Sequence, residues 1–161
     1  MSSTHSWLVA LAALTAAALA SAAQGGFELL SSKEYQTELA ARAAPGATYV
    51  TRGADFNAPT ITVVKPDHSA PIRPPVDIDV EFTPTQGSSI DVNSLKILYG
   101  FLKLDITQRI LKAPGVQMSA GGLKASGAQL PSGSHKLLIE IADNLGRVGR
   151  QPVEFTVTSS P

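Results

Sequence analysis

The sequence predicts an all-β antiparallel sandwich, preceded by a leader, a short helix and a flexible linker. Three observations lead there. From Pro59 onward apolar residues recur at every second position, the period of a half-buried strand. The alternating runs are separated by short clusters of Gly, Pro, Asn, Asp and Ser, spaced as in a sandwich. The last two runs are joined by "DNLGR" at 143–147, where Asn144 or Gly146 can take a positive φ at little cost and reverse the chain.

The strands follow in order. "TITVV" places Ile61 and Val63 on one side, and "PVDIDVEF" points Val76, Ile78, Val80 and Phe82 inward with Asp77, Asp79 and Glu81 outward. "SLKILYG" aligns Leu95, Ile97 and Tyr99, and "FLKLDI" aligns Leu102, Leu104 and Ile106. "GVQMS" and "AQL" are shorter candidates. "HKLLIEIAD" aligns Leu137, Ile139 and Ile141, and "PVEFTV" aligns Val153, Phe155 and Val157. "TPTQGSSIDVN", "KAPG", "AGG", "LPSG" and "DNLGR" are the intervening turns. The stretch "DITQRILKAPG" reads two ways. It is either a strand with Ile106 inward or a helical turn capped by Asp105, with Gln108 at the capping-box position. A strand entering a short helical turn over 105–113 is the reading taken.

Ahead of these lies "FELLSSKEYQTELAARAAPG". Ser31 stands three residues before Glu34 as a capping box, Tyr35, Leu39 and Ala43 share a face, and Pro45-Gly46 ends the helix. A helix of about 12 residues is marginal alone in water, so its apolar face needs a partner. "APGATYVTRGADFNAP" follows as linker, without an apolar period. Leu29, Leu30, Tyr35 and Leu39 can then either pack onto the sandwich or be kept free for a partner's groove, through the helix at 31–44. The separation by the linker makes the free face the reading taken.

The first residues carry an apolar, alanine-rich run that stops at Ala20-Ser21-Ala22, a triplet of the kind read by signal peptidase. The run falls short of the ~20 residues that span a bilayer. It lacks Lys and Arg ahead of it, having only His5 and the terminal amine. The expected organisation is a signal peptide at 1–23, helix plus linker at 24–58 and the sandwich at 59–161, in a periplasmic or secreted protein. Cleavage would remove Trp7, the sole tryptophan. The 161 residues suit one domain plus that leader. Thirteen basic residues balance thirteen acidic ones, so there is no electrostatic pull toward nucleic acid or an anionic membrane. The absence of cysteine excludes disulfides, thiolate metal sites, a cysteine nucleophile and a lipidated cysteine.

The closing stretch "AQLPSGSHKLLIEIADNLGRVGRQPVEFTV" resembles the bacterial Ig-like domains of exported proteins. It has their Leu-Pro-x-Gly turn, an alternating strand, an Asp before the hairpin, a Gly within it and a last Phe-Thr-Val strand. "IDVNSLKILYG" is similar to the family's middle segment, where an Asp-x-x-Ser turn feeds a strand. The resemblance covers about 59–158 and departs in "FLKLDITQRILKAPGVQMSAGG", which is longer and more apolar. It implies an Ig-like sandwich and is nearly silent on activity, since that fold serves as stalk, spacer, adhesive tip and enzyme accessory. The cysteine pair and core tryptophan of antibody-type domains are lacking.

No constellation argues for catalysis. Ser134 and His135 are adjacent on a strand and diverge, while His135 and Asp143 would lie about 26 Å apart at ~3.3 Å per residue. Asp77 and Asp79, about 6.6 Å apart, match the spacing of glycosidase carboxylates but sit on an open strand face with no pocket to shift a pKa. Asp91, Asp105, Asp143 and Asn144 fall near loops without the alternating oxygens of a calcium loop. His68 and His135 are too few and too scattered for zinc. Of the three tyrosines, Tyr35, Tyr49 and Tyr99, the last packs inward, leaving little aromatic platform for sugars.

The expected function is a non-catalytic exported Ig-like module, without cofactor or metal, for protein contact or structural support in the cell envelope. The alternative is a ligand-binding accessory module for polysaccharide or calcium. An enzyme ranks last.

Overall fold

The computed structural model describes residues 26–45, 56–67 and 69–159, which form two sheets packed face to face. Residues 1–25, on which the expected signal peptide falls, and His68, Tyr49 and most of the expected linker lie outside the described residues. In one sheet β2 (Thr60–Lys65) pairs with β3 (Val76–Thr83), and β3 pairs with β7 (Gly122–Gln129). The far side of β7 takes two partners: β1 (Phe27–Glu28), in parallel, and β6 (Gln117–Ser119). The other sheet runs β5 (Leu104–Asp105), β4 (Ile90–Tyr99), β8 (Gly133–Asp143), β9 (Val148–Val157). The helices are α1 (Ser32–Ala43) and α2 (Thr107–Leu111).

The alternation read from the sequence becomes the core. Val76, Val80 and Phe82 face Ile97, Tyr99, Leu137, Ile139, Ile141, Val153, Phe155 and Val157 across one continuous cluster. Tight turns hold the register. Gly146 has a φ of 77°, and the buried Asp143 closes the β8–β9 turn through the Leu145 N–H at 3.0 Å and the Arg147 N–H at 2.9 Å. The Asp-x-x-Ser segment sits inside β4 as a bulge, where pairing jumps from Asp91↔Ala142 to Lys96↔Glu140. There Ser94 Oγ accepts the Ala142 N–H at 2.7 Å, so the interruption leaves no orphan amide.

Four expectations are corrected. First, the apolar segment at 27–39 is not free. Leu29, Leu30 and Tyr35 belong to the core, and Phe27–Glu28 adds a strand to β7. A strand edge and an open sandwich end offer more burial than water does, so the segment docks in cis. Second, the buried face of α1 is Tyr35 with Glu38; Ala43 is exposed and Leu39 only partly covered. Third, Leu102 does not point inward but is 52% exposed. Gly100 (φ 69°) and Lys103 (φ 51°) turn the chain there, so the strand starts only at Leu104. Fourth, "AQL" is not a short separate strand but falls at the end of the longer β7, which starts at the last Gly of the expected "AGG" turn. The passage from β5 into α2 follows the reading taken, with the Thr107 N–H on Asp105 Oδ1 at 2.9 Å and the Asp105 carboxyl held below its usual range chiefly by Thr107.

Candidate functional site

The residues that carry chemistry are spread over both ends of the sandwich. At the end covered by α1, His135 is almost wholly buried. Its Nε2 lies 2.8 Å from the Pro131 carbonyl, which only accepts, so Nε2 carries the proton. Nδ1 then accepts from the Tyr99 hydroxyl at 2.8 Å. Tyr35 and Phe155 flank the ring at centroid distances of 5.0 and 5.5 Å. Burial depresses the imidazole pKa and raises that of the Tyr99 phenol, so both stay neutral. Ser134, one residue away, is exposed on the opposite face, and Asp143 lies at the far end of β8. The three are not brought together.

Glu38 is the charged residue that sequence periodicity missed. It is 2% exposed, and its carboxylate accepts the N–H groups of Phe101 and, at 3.1 Å, Leu102. It does from a helix what an Asp would do within a turn. A side chain at Gly100 would occupy the carboxylate's position. Polar character at a helix face normally signals solvent; here the only hint was a glycine in a distant turn.

The acidic residues singled out in the sequence are engaged locally, although Asp79 Oδ1 is buried without a hydrogen-bond partner among the described residues. Asp77 lies 3.6 Å from Lys65, and Asp79 Oδ2 lies 3.1 Å from Lys124. Asp91 Oδ1 accepts from the Asn93 N–H, and Asn144 Oδ1 accepts from the Ser89 N–H. For Asp143, burial pushes the carboxyl up, but hydrogen bonds from the Arg147 side chain and backbone and the Leu145 N–H bring it below the ordinary range. Arg147 Nε donates to it at 2.7 Å, while a second guanidinium nitrogen sits 2.6 Å away at ion-pair distance but off hydrogen-bond geometry. Among the described residues no three His, Asp or Glu side chains gather where a metal ion could be held.

Two surface features remain. The first is the end of the sandwich beyond Asp143. The Thr85 hydroxyl donates to the carbonyls of Asn57 and Ala58, and Ser89 and Asn144 exchange two bonds at 2.9 Å. Gly149 lies so close to the Pro59 carbonyl that no Cβ would fit. Residues 56–59, 84–89 and 144–146 are thereby tied into one platform that contains no charged side chain. It presents Phe56 at 99% exposure and Leu145 at 62%. The second is a groove of about 440 Å³ at the α1 end, bordered by Arg42, Phe101, Ser134 and Lys136.

Comparison with family models gives no match, and comparison with curated proteins gives none either. Among solved structures, the chain is similar to "The crystal structure of CopC from Methylosinus trichosporium OB3b". Sequence identity is 15% and the TM-score 0.39, with 63% of this chain and 97% of that one covered. The functional reading therefore rests on this chain's own geometry.

Proposed function

We propose that this chain is a non-catalytic Ig-like module of an exported protein, acting by protein contact through the platform that carries Phe56 and Leu145. The carrying observation is that these segments are cross-linked by hydrogen bonds and carry two exposed large apolar side chains, Phe56 and Leu145, without a charged residue among them. Exposed single apolar residues are ordinary, but two carried on cross-linked loops at one end form the kind of preorganised contact that loses less entropy on binding. Covering both side chains would supply about 1.5 to 3 kcal/mol each. The non-catalytic reading is supported by the way His135, Glu38 and Asp143 are each satisfied by protein groups. Export is supported by the apolar run that stops at Ala20-Ser21-Ala22. The partner surface thus passes from the 31–44 helix to the opposite end of β8.

The test is affinity capture from envelope extract with the wild-type chain and the Phe56→Ser/Leu145→Ser double variant. Both should melt alike, and the variant should lose a partner that the wild type retains. Identical captured sets would refute the platform as the contact surface.

A further inference from the structure

We infer that the groove at the α1 end is a binding site for a small amphiphilic anion, a carboxylate or comparable oxyanion on a partly apolar body. Its volume, about 440 Å³, falls within the range of small-ligand sites. Its borders are chemically divided. Ala70, Pro71 and the half-buried Phe101 give it apolar surface, while Arg42 and Lys136 bring cationic groups and Ser134 a hydroxyl. The one carboxylate on the border, Glu154, is paired with Lys136.

Arg42 decides the sign. It ends α1, where a cation complements the helix dipole, and its side chain is 40% exposed. The carboxylate beside it, Glu38, stands 3.5 Å away and is already committed to the Phe101 and Leu102 N–H groups. A guanidinium carries five donors in a planar fork, and this long contact occupies little of that capacity. Lys136 differs, because Glu154 pairs with it across the β8–β9 ladder. The guanidinium is thus the group with donors to offer an incoming oxyanion in bidentate fashion. The groove is also built on firm supports: Arg42 on a helix docked through Tyr35 and Glu38, and Phe101 on a turn held by Glu38. Nothing in the platform proposal bears on this site, which lies at the other end of β8.

The experiment uses the full chain with 1-anilinonaphthalene-8-sulfonate, an anionic probe, and N-phenyl-1-naphthylamine, its uncharged counterpart. Binding is followed by fluorescence and located by amide chemical-shift changes. The expected result is one sulfonate site with shifts at Arg42, Phe101 and Ser134. Its affinity should fall about tenfold or more in Arg42→Gln, as expected for loss of a charge-assisted fork. Ser134→Glu, which adds an anion at the exposed border, should weaken the probe similarly, and Lys124→Gln, on the other sheet, should not. Unchanged affinity in Arg42→Gln and Ser134→Glu, equal affinity for the uncharged probe, shifts centred on Leu145, or no binding would each overturn the proposal.

Discussion

The phenol of Tyr35 occupies the space that a side chain at Gly133 would need. Gly133 holds a φ of 135°, opens β8, and lies where the ring of α1's main anchor reaches His135. The glycine of the Leu-Pro-x-Gly turn is therefore fitted to a helix about a hundred residues earlier, as well as to its own turn.

Gly133→Ala should cost about 2 kcal/mol or more, combining backbone strain with overpacking. Adding Tyr35→Ala should recover part of that loss, since the clash disappears with the ring. A double-mutant cycle from urea midpoints measures the coupling, and strict additivity would mean that the two do not meet.

Glu38→Ala should destabilise the chain by about 1 to 3 kcal/mol by leaving the Phe101 and Leu102 amides without their acceptor. Leu29→Ala should cost about 2 to 5 kcal/mol through a core cavity. Both losses would be absent if residues 27–43 were merely tethered to the sandwich. Chemical denaturation of the full chain separates the cases.

Acid should act in two windows. His135 has its pKa depressed from 6.5 by burial, so the unfolded chain takes up that proton first. Its contribution is present above pH 6.5 and fades as pH falls through the lower folded value. Glu34 is drawn from 4.5 to about 2, chiefly by the hydrogen bond from Arg109. Its contribution is present above pH 4.5 and is lost as pH falls toward 2. His135→Phe should flatten the upper window of a stability–pH curve, and Arg109→Gln should reduce the lower one, leaving the share of Asp105 and Asp143.

Ser94→Ala should leave the Ala142 N–H without an acceptor and cost about 1 to 3 kcal/mol. Its amide should exchange with solvent faster than those of Leu138 and Ile139 on the same strand. Equal protection would show that water or backbone takes the place of Ser94.

The parts of the fold legible in the sequence are those where large apolar residues alternate. Val76, Val80 and Phe82 in β3, and Leu137, Ile139 and Ile141 in β8, mark strands because each buries one face. β7 was read only at its last residues for the opposite reason. Its inward positions are Leu123, Ala125 and Ala128, and Gly122 leaves no room for a Cβ against the Val80 carbonyl. A strand built from small residues to admit a close neighbour has no hydrophobic signature. The docking of α1 was the alternative not taken for a related reason, since half of its buried face is the carboxylate of Glu38. The candidate platform was not read either. Leu145 looks like any turn residue until Asp143 and Asn144 fix its direction.

The early segment draws on late partners. Hydrogen bonds tie Glu38 and Glu34 to groups 63 to 75 residues further along, and Leu29 to Arg109 across 80. β1 cannot find its edge until β7 exists. Closing such long loops is slow, and the entropy must be overcome before the contacts reward it. On this ground the helix region is expected to dock after the β8–β9 and β6–β7 hairpins have paired, closing over the apolar end that contains Tyr99 and His135. A chain caught before that docking would expose this end to proteases and to aggregation.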